Sequence, residues 1–442
     1  MTTVYDVDLL MQQIESREAL VGICGLGYVG LPLVQAFYNA GFSIMGFDID
    51  QAKVDKLMAG ESYIKHLDFS RFSKAIAEGR FMPTTDFTKI RQPDVLLVAV
   101  PTPLDHNREP DLGPVRDTSE AIATGLRRGQ LVILESTTYP GTTEEVMKPI
   151  LEKTGLRAES DFFLAYSPER EDPGNPKFET RTIPKVVGGH GPASLRVAVA
   201  VYSAIIDRVV AVSSMGAAEM AKILENTFRA VNIALVNELK LLCNRMGIDV
   251  WEVIDAAATK PFGFMPFYPG PGLGGHCIPI DPFYLTWKAR EYDFTTRFIE
   301  LAGEINTNMP YSVIDGLVYA MSEKRVPLNG SKVLVLGVAY KKNVDDMRES
   351  PALKIIDLLQ KFDVDVSYHD PFILRIPRTR KYDLGLGSVT LTAEHIASHD
   401  CVLILTDHDS VDYELVSQHA KLIVDTRNAM KRVARKDNVR KV

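Results

Sequence analysis

Three closely spaced glycines directly after a short apolar segment restrict the possible folds of this chain. Gly25-Leu26-Gly27-Tyr28-Val29-Gly30 follows the apolar residues 20–24 and precedes an amphipathic stretch at 31–40. Glycines at this spacing allow a tight turn, close approach of the backbone to a pyrophosphate, and close packing of helix on strand. The helix that begins here also offers N–H groups and a positive dipole end to an anion. The pattern predicts a strand–turn–helix unit that binds a dinucleotide.

An acidic residue at the end of the second predicted strand specifies the dinucleotide. Asp48 follows the glycines by roughly twenty residues, where a carboxylate accepts hydrogen bonds from the adenine ribose and repels a 2′-phosphate. We therefore expect NAD rather than NADP. The alternative is an ordinary glycine-rich turn with an exposed Asp. Lys53 could reach a cofactor phosphate, although an isolated lysine is more often a surface residue.

Two later predicted strands end in segments rich in hydroxyl side chains, proline and glycine, at Thr102 and Thr137. Ligands of open α/β sheets bind beyond the carboxyl ends of the strands, so both threonines are candidate contacts for cofactor or substrate. The same residue types suit ordinary turns, and the sequence does not decide between these roles.

Apolar runs alternate with amphipathic stretches in two parts of the chain, which predicts an α/β protein with two Rossmann-like, doubly wound parallel sheets. We expect an NAD-binding domain at residues 1–212, a central helical region with a glycine-rich loop at 213–327, and a second Rossmann-like domain at 328–442. A long central helix, from 214 to about 245, would join them. The predicted strands are 20–24, 43–47, 95–100, 131–135 and 163–166, then 332–336, 364–368, 401–405 and 422–424.

Composition excludes several classes of protein. The chain has 442 residues and a net charge of −7, without a basic cluster that would indicate nucleic-acid binding. It contains no run of about 18 apolar residues and no signal-peptide pattern, so we expect a cytoplasmic protein that does not enter a membrane. The charged tail after Met430 should be solvated and poorly ordered.

Cys277 differs from the other three cysteines, which lie in apolar strand or helix patterns. The four are not spaced as metal ligands, so no metal site is expected. Gly274 and Gly275 precede Cys277 in a proline- and glycine-rich loop and leave its thiol uncovered. Beside a nicotinamide, such a thiol predicts oxidation of an alcohol to an aldehyde, then a thiohemiacetal, a thioester and an acid. The alternative is a cysteine in a flexible loop, and His276 is a less favoured candidate base.

Six motifs in this order resemble the nucleotide-sugar 6-dehydrogenase family, which includes UDP-glucose and GDP-mannose dehydrogenases. The resemblance spans about residues 19–430. Its motifs are 25–30, Ser136-Thr137, Ser167-Pro168-Glu169-Arg170, the segment 222–226, the loop 274–282 and Gly337-Val338-Ala339-Tyr340-Lys341.

The resemblance implies a role for each catalytic candidate. Cys277 would be the nucleophile, and Lys222 and Asn226, four apart on one helix face, would hold the reacting oxygen. Asp281 would position or activate water, and Glu169 would assist thioester hydrolysis as an acid/base. Without the motifs, Lys222 would be taken for a surface lysine and Glu169 for a loop acid paired with Arg170.

The resemblance also implies how substrate and cofactor are held. The C-terminal domain would bind UDP, with Lys341 on the substrate and Arg348 reaching the cofactor. Arg170 would lie in the substrate site, and the loop containing Tyr268, Gly272 and Gly274 would wrap the substrate. Family members are dimers or larger, with the long central helix at the interface, so a homodimer or higher homo-oligomer is implied.

The sequence Gly-Gly-His-Cys-Ile-Pro-Ile-Asp-Pro at 274–282 is similar to the branch acting on N-acetylated sugars. This implies UDP-N-acetylglucosamine as the UDP-sugar substrate and its uronate, a surface polysaccharide precursor, as the product. UDP-N-acetylmannosamine and UDP-glucose remain alternatives. A further hypothesis is a sensor of NAD or a nucleotide sugar without catalysis, against which the catalytic residue types argue.

Overall fold

The structure, a computed structural model, describes residues 4–64, 67–105, 109–170, 180–275, 278–379 and 381–442. It divides into two compact units, Met1–Glu225 with Phe283–Phe294 and Asn226–Pro282 with Thr295–Val442. Of the helices in the described ranges, none combines the length and apolar character that a bilayer span requires.

The first unit is built on an eight-stranded sheet with the order β3-β2-β1-β4-β5-β6-β7-β8. All neighbouring strands are parallel except β6 and β7, which are antiparallel. The strands are β1 Leu20–Cys24, β2 Ser43–Phe47, β3 Phe81–Thr84, β4 Val95–Val98, β5 Leu131–Leu134, β6 Phe163–Tyr166, β7 Lys185–Gly189 and β8 Val209–Val212.

The strand order reverses between β1 and β4. The chain moves outward from β1 through β2 to β3, then returns to pair β4 with the other side of β1. Connections leaving the carboxyl ends of β1 and β4 therefore diverge, and such a switch point is where open α/β sheets bind ligands.

Helices cover both faces of this sheet and enclose two apolar clusters, one around Val34 and Phe37 and one around Val132 and Met147. Side chains cap the ends of some of these helices. Asp50 accepts a hydrogen bond from Ala52 N at the start of α3. The helices are α1 Val4–Ser16, α2 Gly30–Asn39, α3 Gln51–Ala59, α4 Phe69–Ala77, α5 Gly113–Gly125, α6 Lys148–Glu152 and α7 Pro192–Ser203.

The second unit contains a parallel five-stranded sheet with the order β10-β9-β11-β12-β13. Its strands are β9 Lys332–Leu336, β10 Asp365–His369, β11 Cys401–Ile404, β12 Ile423–Asp425 and β13 Val439–Lys441. Helix α8 Met215–Met246 begins in the first unit and ends in the second, and helix α10 Asp281–Ala289 belongs to the first unit from Phe283 onward. The other helices of the second unit are α9 Val250–Ala257, α11 Arg297–Glu323, α12 Pro351–Lys361, α13 Ala393–Ser398 and α14 Tyr413–His419.

The predicted fold class is confirmed: two Rossmann-like parallel sheets are joined by a long helix. Most charged residues of the tail after Met430 are exposed, as predicted, but the prediction that the tail is poorly ordered is wrong. Residues Val439–Lys441 form β13, which pairs with β12. Asn438 is buried and donates hydrogen bonds to the carbonyls of Ser417 and Ala420, so tertiary contacts order the tail despite its charge.

Candidate functional site

The three glycines after β1 differ in their surroundings. Gly25 has φ +98°, and a Cβ atom there would clash with the carbonyl oxygen of Ala99 after β4. A Cβ atom at Gly30, the first residue of α2, would clash with the carbonyl oxygen of Gly25. At Gly27, by contrast, no atom of the described residues lies within 4 Å of the position that a Cβ atom would take. The turn is therefore closed at both ends and open at its middle, which leaves room for a pyrophosphate.

Asp48 is fixed against this glycine turn. Its Oδ2 accepts a hydrogen bond from Leu26 N at 2.9 Å, and its Oδ1 accepts one from Asp50 N at 3.0 Å. The Lys53 ammonium lies 3.0 Å from Oδ2. A carboxylate has about four acceptor positions, so one remains for a ribose hydroxyl. Lys53 contacts Asp48 in the structure, and its contact with a cofactor phosphate stays a prediction.

Hydrogen bonds join the segments that follow β4 and β5. The Thr102 hydroxyl donates to the Thr137 carbonyl at 2.8 Å, and the Ser136 hydroxyl donates to the Val100 carbonyl at 2.7 Å. Tyr284 of α10 donates to the Thr102 carbonyl at 2.5 Å. The proton of Thr102 is thus used to shape the turn, and a ligand contact of this hydroxyl would use the oxygen as an acceptor.

Lys222 and Asn226 lie one turn apart on α8, and both side chains are buried. Lys222 Nζ donates a hydrogen bond to the main-chain oxygen of Glu169. Asn226 Nδ2 donates to Oδ2 of Asp281, the first residue of α10, and Asn226 Oδ1 accepts from Arg229. Lys222 is therefore not the surface lysine that its sequence context without the motif would suggest.

A buried ion pair that the sequence did not reveal lies beside Glu169. Lys185, the first residue of β7, is 2.6 Å from the Glu135 carboxylate and 3.9 Å from the Glu169 carboxylate. The Tyr202 hydroxyl donates to Glu135. Burial raises the pKa of Glu135, which Lys185 opposes. The one sequence signal for this cluster is a lysine at the start of an otherwise apolar strand.

Arg170 pairs with Glu225 and not with Glu169, the partner considered for it from the sequence. Its guanidinium lies 2.7 Å from the Glu225 carboxylate and donates a hydrogen bond to the Pro184 carbonyl at 2.6 Å. The side chain therefore links the segment after β6 to helix α8 within the first unit.

In the second unit, the glycine-rich loop packs tightly against its neighbours. Gly270 N donates to Asn237 Oδ1 at 3.0 Å, and a Cβ atom at Gly270 would clash with the Arg427 guanidinium. Gly272 has φ +137°, and a side chain at Gly274 would clash with Tyr340. Larger residues would displace this loop, which explains its glycine content.

The remaining predicted contacts of the second unit surround this loop. Gly275 N donates to the Arg348 carbonyl at 3.0 Å, while the Arg348 guanidinium forms a bidentate pair with Asp346. The Tyr268 hydroxyl donates to Asp255 at 2.7 Å. Lys341 is partly buried. Cys277 and His276 lie outside the described residues, while Cys24, Cys243 and Cys401 are buried, as predicted.

Comparison with known proteins identifies the family. Three domain profiles of the UDP-glucose/GDP-mannose dehydrogenase family match consecutive parts of the chain. The NAD binding domain matches residues 19–206, the central domain 216–308 and the UDP binding domain 334–432.

Individual relatives agree. The chain is 40% identical over 394 residues to UDP-N-acetyl-D-glucosamine 6-dehydrogenase of Pseudomonas aeruginosa, covering 89% of this chain and 91% of the relative. It is 34% identical to UDP-N-acetyl-D-mannosamine dehydrogenase of Escherichia coli K12, covering 92% and 98%. The solved structure of the UDP-D-ManNAc dehydrogenase of Pyrococcus horikoshii superposes with a TM-score of 0.86 at 32% identity, covering 96% and 99%.

These matches confirm the predicted family and the predicted cofactor, NAD. The open glycine turn and the fixed Asp48 carboxylate suit that cofactor. The chain belongs to the UDP-glucose/GDP-mannose dehydrogenase family, as an NAD-dependent UDP-sugar dehydrogenase.

Proposed function

We propose that this chain oxidises the C6 hydroxyl of UDP-N-acetylglucosamine to a carboxylate, a four-electron oxidation that yields a precursor for surface polysaccharide. Support comes from the sequence of the loop at 274–282 and from the relative at 40% identity, which is named for that substrate. UDP-N-acetylmannosamine is the second candidate, because several relatives at 33–34% identity are named for it. UDP-glucose is the third.

We assign the cofactor to the open edge of the first sheet. When bound, NAD supplies the hydride acceptor for both oxidations. Gly25, Gly27 and Gly30 would receive the pyrophosphate and Asp48 the adenine ribose. Further cofactor contacts are proposed for Leu26, Tyr28, Val29, Lys53, Thr102, Thr137 and Arg348.

The proposed chemistry divides the oxidation at a covalent intermediate on Cys277. The alcohol loses a hydride and a proton to become an aldehyde, and the thiolate adds to its carbonyl carbon. Loss of a second hydride and a proton converts this thiohemiacetal to a thioester. Water then adds to the thioester carbonyl, the carbon–sulfur bond breaks, and the thiolate leaves. One sugar and one water thus give one acid, with two NAD reduced.

The buried side chains of α8 suit the oxygen that reacts. An ammonium in a buried position, such as that of Lys222, stabilises an alkoxide or a thiohemiacetal oxyanion more strongly than it would in water. Asn226 would donate to the same oxygen. Its hydrogen bond to Asp281 is the observation that carries the proposal, because it fixes the carboxylate that would orient the hydrolytic water.

The UDP portion is assigned to the second unit. The proposed substrate contacts are Lys341, Tyr268, Gly272, Gly274, Arg170 and Glu169. We retain the division into 1–212, 213–327 and 328–442 as the proposed functional domains. We also propose a homodimer or higher homo-oligomer located in the cytoplasm.

Kinetics with a panel of UDP-sugars tests the substrate. UDP-N-acetylglucosamine should give the largest kcat/KM, and a larger value for UDP-glucose or UDP-N-acetylmannosamine would contradict the proposal. A Cys277→Ala variant should bind NAD as the wild type does but form no acid. A protein that binds both ligands yet reduces no NAD with any sugar would instead be a sensor.

A further inference from the structure

Lys185 lies where the ends of three strands bring it together with two acidic residues. Because β7 runs antiparallel to β6, its first residue lies at the edge of the sheet where β5 and β6 end. Glu135 directly follows β5, and Glu169 lies three residues beyond β6. Lys185 is therefore the cation that the topology places between these two carboxylates.

The Lys185 ammonium lies closer to Glu135 than to Glu169. Its ammonium is 2.6 Å from Glu135 and 3.9 Å from Glu169. Glu135 is fully buried, and the Tyr202 hydroxyl donates to its second oxygen, while the Tyr202 ring lies 5.2 Å from the ammonium. A buried carboxylate needs such partners, so Glu135 and Tyr202 hold the ammonium firmly. Glu169 is more accessible, with 16% of its side chain exposed.

A second lysine fixes the main chain of the same residue. Lys222 Nζ donates to the carbonyl oxygen of Glu169, whereas Lys185 approaches its carboxylate. The neighbouring Arg170 is engaged with Glu225 and the Pro184 carbonyl. The backbone and the side chain of Glu169 are thus each held by a different lysine.

We propose that Lys185 is a positioning residue for Glu169: anchored by Glu135 and Tyr202, its ammonium holds the Glu169 carboxylate in place for thioester hydrolysis. This inference rests on the role proposed for Glu169 above. Lys185 would not touch the reacting atoms itself but would orient the Glu169 carboxylate, the proposed acid/base.

Replacing the Lys185 ammonium by a neutral side chain should raise the pKa of Glu135 further. Burial raises the pKa of Glu135, Lys185 lowers it, and the Glu169 charge raises it. Without the cation, the Glu135 carboxylate holds a proton to higher pH. The Glu169 side chain, no longer anchored by the ammonium, should assist thioester hydrolysis less well, so hydrolysis should be slower while thioester formation is unchanged.

Lys185→Met, Lys185→Arg and a control, Lys288→Met, test the inference in the full-length enzyme. Lys288 is also buried and lies 2.6 Å from two carboxylates, Glu145 and Glu291, so its loss controls for the removal of a buried cation. Rapid mixing separates the first turnover, which forms NADH and the Cys277 thioester, from steady-state turnover, which requires hydrolysis.

Lys185→Met should retain the NADH burst, lose about tenfold or more of its steady-state rate, and accumulate the acyl-enzyme. Lys185→Arg should restore most of the rate, and Lys288→Met should show neither the loss of rate nor the accumulated acyl-enzyme. The inference fails if Lys185→Met keeps the wild-type steady-state rate, if its burst and its steady-state rate fall equally, or if the control behaves identically. Failure of the proposed function would appear instead in the wild-type enzyme, as an absence of acylated Cys277.

Discussion

The side-chain amide of Asn226 donates a hydrogen bond to the carboxylate of Asp281, and both side chains are buried. The contact joins the middle of α8 to the first residue of α10. Because Asn226 also accepts from Arg229, its amide group has a fixed orientation. An asparagine held this way is suited to orient a carboxylate and to stabilise charge on a bound oxygen.

Asn226→Ala should lower kcat by about 100-fold or more, because it removes a donor to the reacting oxygen and releases Asp281. Stability should fall by about 1–3 kcal/mol, since the buried partners lose a hydrogen bond. Steady-state kinetics and denaturant unfolding measure the two effects. Asn232→Ala is the matched control, because this asparagine is only half-buried on the same helix and its side chain donates to the Phe228 carbonyl one turn away. Equal losses in both variants would contradict the assignment.

The glycine turn predicts a contrast between two alanine substitutions. Gly30→Ala should destabilise the protein by about 3 kcal/mol, because the added methyl meets the Gly25 carbonyl oxygen. Gly27→Ala should unfold like the wild type but bind NAD at least about tenfold more weakly, because its methyl enters only the open space assigned to the pyrophosphate. Thermal unfolding and NAD titration separate these outcomes. Unchanged NAD affinity in Gly27→Ala would show that the cofactor does not approach this turn.

Asp48 should determine the choice of cofactor. Asp48→Ala removes the acceptor for the ribose and the charge that repels a 2′-phosphate, and it releases the Lys53 ammonium. The ratio of kcat/KM for NAD to that for NADP should fall by about 100-fold. The Asp50→Ala variant, which changes an acid that caps α3, should leave this ratio unchanged. An unaltered ratio in Asp48→Ala would refute the proposed contact.

The buried ammonium of Lys240 should make the free energy of unfolding depend on pH. Its side chain is buried without a hydrogen-bond partner among the described residues, with the Trp251 ring 5.9 Å from its ammonium. Burial, reinforced by Arg427 and opposed by Asp425, lowers the pKa of Lys240 to about 7. The unfolded chain therefore binds one more proton between about pH 7 and 10.5, so stability should rise with pH across this window by about 1 kcal/mol per unit.

Lys240→Met should be more stable than the wild type near pH 6 and should lose this rise. Denaturant unfolding between pH 6 and 9 measures it. The Lys74→Met variant, which removes an exposed lysine, should keep the wild-type pH dependence. A Lys240→Met protein whose stability still rises in parallel with the wild type would show that another group titrates.

Much of the fold was predictable because strands buried on both faces are continuous apolar runs. The predicted bounds of β1 and β2 are those of the structure, and α8 lies within one residue of its predicted ends. The tail was predicted wrongly because β13 depends on pairing with β12 and on the Asn438 hydrogen bonds, which the local sequence does not encode.

The site shows the same division. The glycine turn and Asp48 were recognisable because their roles depend on local spacing. Lys185 and Glu135 were not, because the ion pair joins residues 50 positions apart whose meeting depends on the antiparallel strand β7. The family motifs assigned Asn226 and Asp281 to the same reaction. Only the structure revealed the direct hydrogen bond between them.

Covalent four-electron oxidation is tested directly by the stoichiometry of complete conversion of UDP-N-acetylglucosamine, measured as NADH and acid formed per sugar. The wild type should form two NADH and one UDP-N-acetylglucosaminuronate per sugar, and Cys277→Ala should form no acid. One NADH per sugar with release of the aldehyde, or acid formation by Cys277→Ala at the wild-type rate, would contradict covalent four-electron oxidation.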